Sequence, residues 1–80
     1  MNIQKYLKHG KVKSITINED GDVTTYDVAI TANGVDCNAI FLKEKGKFTL
    51  NNIAFNFETA DLDVLRNIFN DLSHVDLTAL

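Results

Sequence analysis

The stretch TTYDVAITANGVDCNAIFL, residues 24–42, alternates apolar and polar side chains on both sides of Asn33-Gly34. Both central positions of a type I′ turn need positive φ, which Asn and Gly tolerate, so Asn-Gly between two alternating runs predicts a two-residue hairpin. Counting outward from it pairs Ala32 with Val35, Ile30 with Cys37, Val28 with Ala39 and Tyr26 with Phe41. These apolar residues then share one face, and Thr25, Asp27 and Thr31 share the other.

The neighbouring turns can be tested against that register, because a slip of one residue would rotate a whole strand's apolar set into water. A loop at Glu19-Asp20-Gly21-Asp22 sets Ile15 opposite Tyr26 and Ile17 opposite Thr24. A turn at Lys45-Gly46 sets Phe41 against Leu50, and another at Asn51-Asn52 sets Leu50 against Ile53 and Phe48 against Phe55. All the turns agree on a single apolar face, which Phe57 extends. The fold expected is α+β, a five-stranded antiparallel β-meander packed on a C-terminal amphipathic helix, with a short N-terminal helix.

The C-terminal helix is read from residues 60–73, where Leu62, Leu65, Phe69 and Leu72 recur at spacings of three and four and Val64 and Ile68 widen the stripe. Thr59 or Asp61 can cap its start, and Asp61 and Asp63 suit the positive end of its dipole. In residues 2–9, Ile3, Tyr6 and Leu7 stand at helical spacing, and Gly10 is placed to end that helix in a left-handed conformation. The tail from His74 to Leu80 has no clear period, although Val75, Leu77 and Leu80 would allow a further turn or strand.

With 80 residues, no proline, no low-complexity tract and no repeat, residues 1–80 are expected to form one domain of modest stability. No apolar run is long enough to cross a bilayer as a helix, and Met1 to Gly10 lack the apolar core of a secretory signal, so the expected location is the cytoplasm. The single cysteine, Cys37, precludes an internal disulfide and a multi-cysteine zinc site. The net charge of −3 conceals an asymmetry: Lys5, Lys8, Lys11 and Lys13 precede every acid, whereas the remainder of the chain is strongly acidic. Binding to phosphate backbones needs clustered positive charge, so nucleic acid is not expected as a direct partner.

Groups that carry chemistry elsewhere have simpler readings here. The register places Cys37 in the core, where free cysteine commonly sits. His9, beside Gly10, is placed to meet the carbonyls at a helix end rather than to act as a base. His74 near Asp71 and Asp76 has no paired nucleophile, and Asp20-Gly21-Asp22 lacks the spacing of a calcium loop. The glycines are isolated, so no phosphate-cradling loop is present. Neither a cofactor, nor a metal, nor enzymatic activity is expected.

Two surfaces remain. The register exposes Val23, Ala29, Ile40 and Leu42 among threonines on the outer sheet face, a small apolar patch or an ordinary scatter of surface residues. Glu58, Asp61, Asp63, Asp71 and Asp76, set against Arg66, form an acidic stretch that suits a basic partner or is a solvated helix face. The function expected is a non-enzymatic protein-binding module that blocks a site on a larger protein or nucleoprotein complex, with Asp61, Asp63, Asp71, Ile40, Leu42 and Val23 at the contact. Its size, acidity and lack of catalytic groups resemble in kind the small inhibitors of phages and mobile elements, anti-CRISPR proteins among them; no motif ties it to one family. The analogy implies that Asp61, Asp63 and Asp71 compete for a basic groove that otherwise holds nucleic acid. The alternative is a structural homo-oligomer, such as a homodimer, joined through the open sheet face or the edge strands near Ile15 and Phe57.

Overall fold

The computed structural model describes residues 3–55 and 61–75. A 3-10 turn at Ile3–Tyr6 leads into four strands, β1 (Lys11–Asp20), β2 (Val23–Ala32), β3 (Val35–Glu44) and β4 (Lys47–Phe55), followed by one helix, α1 (Leu62–Ser73). The strands form one antiparallel sheet in the order β1-β2-β3-β4, so every connection is a hairpin.

The central hairpin has the register that its sequence predicts: Ala32 faces Val35, Ile30 faces Cys37, Val28 faces Ala39 and Tyr26 faces Phe41. Asn33 and Gly34 take φ of 50° and 78°, as a type I′ turn requires. The turn at Lys45-Gly46 also forms, with φ of 52° and 78°, and sets Phe41 opposite Leu50.

The first hairpin differs by two residues. Asp20 pairs with Val23, so the loop is Gly21-Asp22 and Ile15 and Ile17 face Val28 and Tyr26. Gly21 alone in this loop has positive φ, at 60°, the pattern of a type II′ turn with Gly in first position. A two-residue shift preserves the side-chain faces, so the core assignment survives.

The expected fifth strand is the second half of β4. Ile40 pairs with Asn52 whereas Phe41 pairs with Leu50, so Asn51 is a bulge and the strand continues to Phe55 beside β3. Neither Asn51 nor Asn52 has positive φ, which excludes the type I′ geometry that the predicted turn needed. A bulge and a tight turn leave the same mark in sequence, a three-residue step between apolar residues that otherwise alternate. A second bulge, at Lys13, lets Val12 and Ile15 both pack against the core despite their three-residue spacing.

The core joins Ile3 and Leu7 from the N-terminal segment, Val28, Ile30, Ala32, Val35, Cys37, Ala39 and Phe41 from β2 and β3, and Val64, Leu65, Ile68, Leu72 and Val75 from the helical region. The N-terminal segment and α1 therefore share one sheet face. Asp61 caps α1 by accepting hydrogen bonds from Asp63 and Val64 N–H at 3.0 and 3.3 Å. The helix is rotated from the expected stripe: Val64, Leu65, Ile68, Asp71 and Leu72 are buried, whereas Leu62 is 76% and Phe69 43% exposed.

At the N-terminus a 3-10 turn replaces the expected helix, and Gly10 is not left-handed. Gly10 instead permits close packing. A Cβ there would lie 3.2 Å from both Ile30 Cγ2 and the Thr31 carbonyl oxygen. The expected contributions of Phe57, Glu58, Thr59, Asp76, Leu77 and Leu80 lie outside the described residues.

Candidate binding surfaces and the His9–Asp71 site

Ten-residue strands run about 33 Å, and a twelve-residue helix runs about 18 Å, so one helix cannot roof the whole sheet. The helix and the N-terminal segment bury the end of the inner face nearest Asn33-Gly34. Farther along that face, Ile17, Tyr26, Phe41 and Leu50 form one row across the four strands. The row is closed at its centre and open at its flanks: Phe41 is fully buried, Tyr26 is half-buried, and Ile17 and Leu50 are 57% and 38% exposed. Phe48 stacks on Tyr26 with ring centroids 5.5 Å apart, and the Lys43 ammonium lies 5.3 Å from the Phe48 ring centroid. Beyond the row stand two hairpin tips of opposite charge, Glu19, Asp20 and Asp22 on one side and Lys43, Lys45 and Lys47 on the other.

The outer face carries Val23, Ile40 and Leu42, all half-buried by their strand neighbours. Its centre is tied by a 2.7 Å hydrogen bond from Asn38 Nδ2 to Asp27 Oδ1. Of the acids expected at a contact, Asp61 is exposed but serves as the helix cap, and Asp63 is exposed and bonded to Arg66 at 3.1 Å.

Asp71 departs from the expected acidic surface because its side chain is 2% exposed. It occupies the buried stripe of α1 and reaches the N-terminal segment more than 60 residues away in sequence. Lys8 and His9 N–H both donate to its Oδ2 at 2.9 Å, and His9 Nδ1 lies 3.0 Å from Oδ2 and 3.1 Å from Oδ1. Burial alone would raise the pKa of this carboxyl. The hydrogen bonds from His9 and Lys8, with the charge of His9, outweigh burial and hold the pKa below its ordinary value. An ionised carboxylate only accepts, so His9 Nδ1 carries the proton that it donates and Nε2 is left for other contacts. The expected neighbour of Asp71 was His74; that residue instead ends the helix, its N–H donating to the Asp71 and Leu72 carbonyls. The sequence signal for the His9 pairing is an acid at helical spacing from Val64 and Ile68, where an apolar stripe should not contain one.

Cys37 is 2% exposed, and burial, followed by the charge of Asp36, pushes its thiol pKa up. It is therefore kept in the weakly nucleophilic protonated form. Among the described residues, no three His, Cys, Asp or Glu side chains come together as a metal site, and no helix is long and apolar enough to cross a membrane.

A cleft of about 620 Å³ opens beside the His9–Asp71 pair. Lys8 to Lys11 form one wall, Thr31 to Gly34 another, and Val64 and Asn67 of α1 the third. No family model, curated protein or solved structure matches this chain.

Proposed function

We propose that this chain is a non-enzymatic protein-binding module that occupies a site on a larger protein, as the small inhibitors it resembles in kind do. The supporting observation is the partly open row Ile17–Tyr26–Phe41–Leu50. Apolar side chains held on a rigid sheet are pre-organised anchors, because little conformational entropy remains to be lost on contact. Glu19, Asp20 and Asp22 on one side of the row and Lys43, Lys45 and Lys47 on the other would steer a partner whose apolar patch is flanked by basic groups on one side and acidic groups on the other. The proposed contact is at the tips of the first and third hairpins rather than on the helix, where Asp71 is buried and Asp63 is paired.

The test is capture of a partner from native lysate by tagged protein, followed by calorimetry with the purified partner. Ile17→Ser/Leu50→Ser should abolish binding, and Val23→Ser/Ile40→Ser/Leu42→Ser should retain it. The reverse pattern would move the contact to the outer face. The open β1 edge favours a second reading, a structural homo-oligomer; a mass above that of a monomer in light scattering, lost when Glu19, whose N–H points away from β2, becomes proline, would establish it.

A further inference from the structure

The four lysines that open the chain have different surroundings. Lys13 pairs with Asp36 at 3.5 Å, and the Lys5 ammonium lies 5.0 Å from the Tyr6 ring centroid. Lys8 and Lys11 have no ion-pair partner among the described residues, and both line the 620 Å³ cleft. Among the described residues no carboxylate residue lines it, and the nearby Asp71 carboxylate is taken up by His9 and the Lys8 N–H. Asp36 lies nearby, across Thr31 from Lys11 in the sheet, and it is engaged by Lys13. In a chain of net charge −3, this is a local reversal of sign.

The His9–Asp71 pair gives this wall a fixed position. Two backbone N–H groups and the imidazole are anchored on a buried carboxylate, which holds the backbone of Lys8 and His9 against α1. The same bond leaves His9 Nε2 available for a contact in the cleft it lines. Thr31, Asn33 and Asn67 add neutral hydrogen-bonding groups around the other walls.

We infer that the cleft between Lys8–Lys11, the Asn33-Gly34 turn and the first half of α1 binds a small phosphorylated molecule. Lysine ammonium groups bind phosphate as compact point charges with rotatable donors, and Thr31, Asn33 and Asn67 around them add donors for its several acceptor oxygens. A cleft of this volume has room for a nucleotide-sized ligand as well as for a free phosphate group. The site is independent of the apolar row at the opposite end of the sheet.

The experiment is titration of the full chain with pyrophosphate, ATP and citrate, followed by amide chemical shifts and calorimetry. Saturable shifts should centre on residues 8–11, 31–34 and 67, with pyrophosphate or ATP binding more tightly than citrate. Equal affinity for pyrophosphate and ATP would identify the phosphate group as the whole determinant, and tighter ATP binding would show that the nucleoside is also held. Lys8→Gln/Lys11→Gln should weaken binding by roughly tenfold or more, the loss expected for charge-assisted bonds. Lys45→Gln/Lys47→Gln makes the same change in net charge at the distant tip and should leave affinity within about twofold. Equal losses in both variants, shifts spread over all lysines, or citrate binding as tightly as pyrophosphate would overturn the inference.

Discussion

The two ends of the sheet have the same backbone and opposite surroundings. At the Asn33-Gly34 end, β2 and β3 lie beneath α1 and the N-terminal segment, and Val28, Ile30, Ala39 and Phe41 are fully buried. At the end formed by the Gly21-Asp22 and Lys45-Gly46 turns, strands of similar length leave Ile17 and Leu50 exposed. The difference teaches that sheet length here exceeds what one short helix can cover. Packing stability is concentrated at one end, and the other keeps ordered apolar side chains available for contact.

The sharpest way to break that contrast is Phe41→Ala. It leaves a large void where the covered core meets the open row, and should cost about 3–5 kcal/mol, enough to unfold much of the population of a domain this small. Urea or thermal denaturation followed by circular dichroism would read it. A loss below about 1 kcal/mol would mean that Phe41 is not the keystone its burial implies.

Asp71→Ala comes next. It removes the acceptor for Lys8 and His9 N–H and should cost about 1–3 kcal/mol, because two partly buried donors are left without their partner. Hydrogen exchange should accelerate at Lys8 and His9 far more than in β3. Uniform acceleration would show instead that the pair supports the whole fold rather than the N-terminal strap.

Acid separates the charge of Asp71 from its shape. Its folded pKa lies below the unfolded value, so the native state binds the proton less readily and the carboxylate stabilises the fold above about pH 4. That contribution is lost as pH falls through the folded pKa. Wild type should therefore be more stable than Asp71→Asn at neutral pH, and the gap should narrow in acid. A gap that is constant with pH would rule out this linkage.

The smallest effect is expected at the open end. Ile17→Ser/Leu50→Ser should change stability by no more than about 1 kcal/mol, since both side chains already meet water. A much larger loss would mean that the row is core rather than contact surface.

Much of this contrast can be read along the chain. Alternation and turn chemistry act over a few residues, which is why Asn33-Gly34 and Lys45-Gly46 give their registers directly and the first hairpin errs only by a shift that preserves faces. The helix is legible for the same reason, but its orientation is not. Leu62 and Phe69 look as apolar as Val64 and Ile68, and only contact with the sheet selects which stripe is buried.

Four features depended on partners distant in sequence. Asn51 becomes a bulge because β4 keeps pairing with β3, and Gly10 is chosen for its closeness to Ile30 and Thr31 rather than for a left-handed backbone. Asp71 leaves the acidic surface to hold His9, and Lys8 and Lys11 share one wall of a cleft whose other walls come from β2, the turn after it and α1. Local chemistry by itself determined the first three strands, the faces of all four and most of their turns. Tertiary packing decided which faces stay open and which charges are spent, because burial and pairing depend on residues that only the folded chain brings together.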